Sequence, residues 1–264
     1  MKSLDDEYAN AAYILGADTF VARWESAAAN FRAALSKVGR AELDLAYGDT
    51  DRQRFDLFAP LCSSKGVMIF VHGGYWLKFD KSYWSHLAQG AVEKGWHVAL
   101  PSYDLCPTVR IHQITDQIAQ ALEVIGARIA GPITLAGHSA GGHLVARMAV
   151  GELLPKVLYA RIAKVMPISP VADLRPMLQT KMNEDFCLSE ADAIAESPAL
   201  MDTPACNVHV WVGADERPAF IDQARWLSGA WNAPLTLAPV KHHFDVIDAL
   251  TDPTSDMVAQ LLGV

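Results

Sequence analysis

The sequence is poor in the features that mark several classes of protein. Lysines and arginines are scattered singly, no basic cluster forms, and the 264 residues carry a formal net charge of −8. That leaves no electrostatic footprint for nucleic acid or for an anionic membrane surface. There are 4 cysteines, Cys62, Cys106, Cys187 and Cys206. They stand far apart without a Cys-x-x-Cys, which argues against a disulfide frame and a zinc site, and they read as buried thiols. The longest apolar runs are about six residues, far short of the roughly 20 that a membrane-spanning helix needs. The first residues, Met-Lys-Ser-Leu-Asp-Asp-Glu, are acidic and have no apolar stretch of the kind a signal peptide carries. Repeats, low-complexity tracts and linkers are missing too. Together these absences describe a soluble protein of a reducing cytoplasm.

What is present is an ordinary globular composition, 51% apolar and 20% charged, with ample material for a core. Phe20, Val21, Trp24, Ala28, Phe31 and Leu35 recur at helical spacing, which predicts a helix over about 18–38. It should pack on the main body, at the mouth of the site. Residues 42–47 and 54–58 alternate polar and apolar around Gly48, as an antiparallel pair at a sheet edge would. From Gly66 onward the strands become continuously apolar, as strands buried on both faces are. Strands at 66–71, 98–101, 133–136, 165–168, 208–212 and 235–237 are separated by helical patterns at 83–94, 111–129, 140–150 and 219–231. A closing helix runs over 244–262. Strands alternating with long helices predict an α/β fold, a mostly parallel, doubly wound sheet with antiparallel N-terminal edge strands. Residues 173–203, polar and irregular, read as a small helical cap inserted into one domain that spans 1–264.

The chemistry centres on Gly137-His138-Ser139-Ala140-Gly141, which lies between an apolar strand and a helical pattern. Chance would supply Gly-x-Ser-x-Gly in roughly one chain in ten of this length, with glycine near 7%. The strand–turn–helix context is what makes it a nucleophile elbow, with the Ser139 hydroxyl lifted clear of the sheet. A serine hydroxyl needs a base to take its proton and an acid to orient that base, in the order Ser, acid, His for this architecture. Downstream, His143 falls inside the elbow helix and His209 inside a strand. His242 and His243 lie in the loop after the last strand, and His243, next to the helix start, is the preferred base. Gly213-Ala214-Asp215-Glu216 supplies the acid. Glu216 is preferred at three residues past the glycine, with Asp215 and Asp173 open as alternatives. The carboxylate not used should sit at the helix start, near the N-terminal dipole. His72-Gly73-Gly74-Tyr75-Trp76 directly follows a buried strand, where this fold supplies an oxyanion hole. The expected donors are the N–H groups of Gly74, Tyr75 and Ala140.

These four stretches, His-Gly-Gly-Tyr-Trp, Gly-His-Ser-Ala-Gly-Gly-His-Leu, Gly-Ala-Asp-Glu-Arg-Pro-Ala-Phe-Ile-Asp-Gln and His-His-Phe, are similar to the kynurenine formamidase (arylformamidase) branch of the α/β-hydrolases. The neighbouring branch is the hormone-sensitive-lipase-like esterases. The resemblance runs from Tyr8-Ala9-Asn10 to the final helix. It places the family's His-Gly-Gly-x-Trp on His72, Gly73, Gly74 and Trp76, its nucleophile on Ser139, its acid on Glu216 and its base on His243. The chain departs from the family pattern at Asp215 and Ala219, which keeps Asp215 open as the acid. The resemblance implies hydrolysis of N-formylkynurenine to kynurenine and formate, a step of tryptophan degradation. The alternatives are a carboxylesterase for small or aryl esters and, more remotely, a non-catalytic binding protein. Tyr75, Trp76, Tyr83 and Trp84 are candidates to stack on an aromatic amide or ester. No metal or organic cofactor is required, no nucleic acid or membrane is expected as partner, and a homodimer is compatible with the sequence.

Overall fold

Strand β3 (Val67–Val71) is apolar at every position and buried at every position. Side chains alternate across a strand, so Val67, Ile69 and Val71 enter one core while Met68 and Phe70 enter another. The sheet between those cores has nine strands in the computed structural model, which describes residues 3–150 and 153–263. Met1, Lys2, Gly151, Glu152 and Val264, included in the single-domain reading, lie outside the described residues. The remaining strands are β1 (Ala41–Ala46), β2 (Arg54–Phe58), β4 (His97–Pro101), β5 (Ile133–His138), β6 (Ile162–Ile168), β7 (Asn207–Val208), β8 (Val210–Gly213) and β9 (Leu235–Ala238). Their order is β1-β2-β4-β3-β5-β6-β8-β9, with β7 paired to β6. The β1–β2 and β2–β4 pairs are antiparallel and the others are parallel.

Helices cover both faces. They are α1 (Leu4–Glu7), α2 (Ala17–Lys37), α3 (Gln89–Glu93), α4 (Ile111–Arg128), α5 (Ala140–Ala149), α6 (Lys156–Tyr159), α7 (Asn183–Phe186), α8 (Glu190–Ala195), α9 (Pro218–Trp231) and α10 (Asp256–Leu262). Helix α2 buries Phe20, Trp24 and Ala28, a stripe at four-residue spacing that marks one helical face. Phe20 and Trp24 meet Phe244 edge-on at 5.5 and 5.3 Å. Trp24 also meets Phe79 at 6.3 Å, so α2 bridges the loops before α3 and after β9. The β1–β2 edge carries a bulge at Asp44 (φ 56°), whose N–H donates to Asp56 Oδ1 at 2.9 Å. Lys81 Nζ reaches Asp44 and Asp56 at 2.6 and 2.7 Å.

Three expected elements are broken in the structure. The helix expected over 83–94 is two 3-10 turns, Lys81–Tyr83 and Ser85–Ala88, followed by the short α3. Asp80 caps the Ser82 N–H, and Trp84 leaves helical geometry to set its indole against Trp24 at 4.7 Å. The closing helix stops after a 3-10 turn, Val246–Thr251, and α10 starts anew. Asp252 precedes Pro253, a setting that disfavours α geometry, and Ser255 caps the new start. The strand expected over 208–212 is interrupted at His209, whose Nε2 lies 2.8 Å from Thr236 Oγ1. Residues 173–203 carry α7, α8 and 3-10 turns at Arg175–Gln179 and Pro198–Leu200. Cys62 and Cys187 are exposed, against the expectation of burial, while Cys106 is buried and all four thiols are free.

Candidate active site

Strand β5 ends in the elbow. Ser139 has φ 57° and ψ −116°, a left-handed conformation costly for a residue with a Cβ and held only by surrounding structure. The flanking glycines make it possible. A methyl group on Gly141 would lie 2.0 Å from the Val71 carbonyl oxygen, and one on Gly137 would lie 2.1 Å from the Gly141 carbonyl oxygen. The helix therefore leaves hard against β3 and β5. The Ser139 N–H donates to Ile168 O at 2.9 Å, and Ser139 is 2% exposed.

The loop after β3 lies directly on this turn: a methyl group at Gly73 would be 3.0 Å from Ser139 Cβ. Gly74 (φ 116°), Tyr75 (φ 54°) and Trp76 (φ 57°) follow with positive φ. Among the described residues, the N–H groups of Gly74, Tyr75 and Ala140 donate to no protein acceptor. Helix N-termini always leave such donors; here one belongs to the first residue of α5 and two to a loop packed on Ser139. The Ala140 donor also benefits from the positive end of the α5 dipole.

Glu216 follows β8. Its Oε1 accepts from the Gly213 N–H at 2.8 Å and from the Ser169 hydroxyl, and its Oε2 accepts from His243 Nδ1–H at 2.6 Å. The side chains are 0% and 5% exposed. The His243 ring rests on Phe220 at 4.2 Å and on His138 at 4.5 Å. Ser169, at the end of β6 with φ 48°, is a contact that sequence reasoning missed; nothing but its strand-end position signals it. Phe220 and His138 lie inside the motif stretches, but no spacing rule assigns them contact with His243.

The other candidates fall elsewhere. Asp215 is exposed, its N–H bonded to Lys241 O at 2.9 Å and its carboxylate unbonded among the described residues. Helix α9 begins beyond it, after Arg217, so the expected helix-start role does not appear. Asp173 is engaged by Arg175, 2.6 Å away. Burial raises Asp173, but the Arg175 hydrogen bonds outweigh that and hold it below the usual carboxylate value. His143 Nε2–H donates to Glu196 O at 2.7 Å, and His242 packs edge-on to Phe20 at 5.3 Å. Trp76 and Trp84 are 0% and 2% exposed, core residues and not open to a ligand; Tyr75 and Tyr83 are half-buried. Burial depresses His72 and His143 to about 4, and burial with the neighbouring His243 takes His138 well below its ordinary value. All three stay neutral near pH 7. Among the described residues, no group of three His, Cys, Asp or Glu side chains is placed to hold a metal ion. No helix among them is long and apolar enough to cross a membrane.

An elbow serine, a loop of free N–H donors and a buried carboxylate–imidazole pair on a doubly wound sheet define a hydrolase. Residues 68–215 match the family described as the alpha/beta hydrolase fold, and the chain belongs to it. Within that family the chain is kynurenine-formamidase-like. It is 30% identical to a kynurenine formamidase of Drosophila melanogaster over 81% of this chain and 78% of that one. To a kynurenine formamidase of Salmo salar it is 27% identical over 83% of this chain and 80% of that one. Among solved structures, a Silicibacter sp. protein named only provisionally as a thioesterase is 56% identical. It covers 99% of this chain and 100% of its own, with a TM-score of 0.97. The apo form of esterase 2 from Thermogutta terrifontis shares the fold at TM-score 0.65 and 17% identity, over 85% of this chain and 92% of that one.

Proposed function

We propose that the protein is a serine hydrolase that cleaves an aryl formamide, N-formylkynurenine, to an arylamine and formate. The observation that carries this reading is the buried Glu216–His243 contact beside Ser139. With Nδ1–H given to the carboxylate, His243 Nε2 is the free basic nitrogen. It takes the Ser139 proton as Oγ attacks the formyl carbon. The N–H groups of Gly74, Tyr75 and Ala140 receive the oxyanion of the tetrahedral intermediate, where fixed donors stabilise charge as it develops. His243 then returns the proton to the departing arylamine nitrogen, leaving a formyl ester on Ser139. Water, deprotonated by His243, attacks that ester and releases formate and the serine. Ser139 Oγ makes no hydrogen bond to protein among the described residues, and such contacts commonly tighten only once substrate is bound.

The choice of aryl formamide rests on the kynurenine formamidases among the relatives. A second reading, a thioesterase or carboxylesterase with the same triad, is favoured by the names of the structural neighbours. Labelling with a fluorophosphonate tests the shared chemistry. One adduct on Ser139, lost in Ser139→Ala, is expected; labelling elsewhere, or none, contradicts it. Turnover of formamide against thioester then separates the two readings.

A further inference from the structure

We infer that residues 4–13 are a working part of the site: the Tyr8 carbonyl fixes the Tyr75 hydroxyl and so aims the N–H groups that receive the oxyanion. This rests on the oxyanion role given above to Gly74 and Tyr75. Tyr75 and Trp76 are consecutive non-glycine residues at φ 54° and 57°, a conformation that persists only when neighbours over-determine it. Trp76 has its anchors in the core. Its ring meets His143 and Phe186 edge-on at 5.2 and 5.5 Å, and its carbonyl accepts from the Cys106 N–H at 2.9 Å. Tyr75 is anchored from the N-terminal segment, through its hydroxyl donated to Tyr8 O at 2.6 Å. The Asn10 side chain lies against that same hydroxyl, and its Oδ1 is buried without a partner.

The segment is itself tied to the loop that carries the acid. Gln223 Nε2 donates to the Tyr8 hydroxyl at 2.7 Å and to Asp173 O at 2.8 Å. The Tyr8 ring meets Phe220 edge-on at 5.7 Å. Arg217, immediately after Glu216, donates to Asp6 O and Oδ2 at 3.1 Å and lies 3.6 Å over the Tyr13 ring. Helix α1 buries none of its residues, whereas Tyr8, just after it, is 2% exposed and packs in the core, and the polar anchors above add to that packing. They make one brace from the Glu216 loop to the oxyanion loop.

The test is Tyr75→Phe in the full chain, which removes one hydroxyl and keeps the ring. Because the N–H groups are misaimed and not deleted, we expect kcat to fall about tenfold, less than the loss of an oxyanion donor, with KM unchanged. The Ki of an aryl trifluoromethyl ketone, whose adduct with Ser139 places an oxyanion in the hole, should rise by the same factor. Asn10→Ala is the second variant should Tyr75→Phe fail to fold, with kcat expected to fall about threefold at constant KM. A kcat within twofold of the parent, or a fall in kcat with the ketone Ki unmoved, overturns the inference. Activity surviving in Ser139→Ala would instead overturn the reading of the site on which it rests.

Discussion

Glu216 Oε2 stands 2.6 Å from His243 Nδ1, while the adjacent Asp215 is exposed and its carboxylate meets no partner among the described residues. Two neighbouring carboxylates thus occupy opposite environments. Glu216→Gln loses the charge that orients and stabilises the imidazolium, and kcat should fall by about 10² to 10⁴. Asp215→Asn should stay within about twofold, as an exposed change does. Steady-state kinetics on both variants check this, and equal losses would remove Glu216 from its role.

The elbow glycines are required by space. Gly141→Ala puts a methyl group 2.0 Å from the Val71 carbonyl oxygen, and neither backbone can yield. Its Tm should drop by roughly 10 °C. Gly229 in α9 is the control: a methyl group there meets nothing within 4 Å. Gly229→Ala should stabilise by about 0.5–1 kcal/mol through helix propensity. Thermal unfolding of the two variants side by side decides the matter, and a tolerated Gly141→Ala would contradict the close approach of α5 to β3.

Lys81 and Asp56 form a buried pair, their side chains 9% and 1% exposed. Lys81→Met leaves the Asp56 carboxylate buried with its cation gone, at a cost of about 3–5 kcal/mol. Urea unfolding measures it. A loss under about 1 kcal/mol, the range of an exposed pair, would mean that solvent reaches Asp56 freely.

Buried histidines set the acid limit of stability. Burial holds His143 and His72 at about 4 in the folded state, against about 6.5 unfolded. Between those values the unfolded chain binds more protons, so stability is full above about pH 6.5 and falls as pH drops toward 4. Asp80 and Asp173 are held below the ordinary 3.8, and their stabilisation is lost only below that window. The fall in Tm between pH 7.5 and 5 should be smaller in His143→Asn than in the parent. An identical fall would show that His143 does not drive it.

How much of this was legible follows from what each feature depends on. Helix α2 and the strand β3 could be read because Phe20, Trp24 and Ala28 keep one face and Val67–Val71 is apolar throughout. The 3-10 turns at 81–88 could not, because Trp84 leaves the helix to reach Trp24, a residue 60 positions away in sequence. The break before α10 does carry a sequence signal, since Asp252 precedes Pro253. The elbow and the His-Gly-Gly loop were visible as motifs, since their glycines answer to local geometry. Ser169 was not, and Tyr8 stood only as the start of the resemblance with no role attached, because each reaches the site only through contacts that the folded sheet creates. The order of Glu216 over Asp215 was a spacing rule in the sequence; in the structure it is the Gly213 N–H and His243 that hold Glu216.

Ser139 and its neighbours are proposed to hydrolyse an aryl formamide. The most direct measurement is the ratio of kcat/KM for N-formylkynurenine to that for p-nitrophenyl acetate, with Ser139→Ala as blank. A ratio well above one is expected, with no turnover of either substrate by Ser139→Ala. Ester turnover without formamide hydrolysis would contradict the formamidase reading and leave an esterase, while an active Ser139→Ala would contradict the site itself.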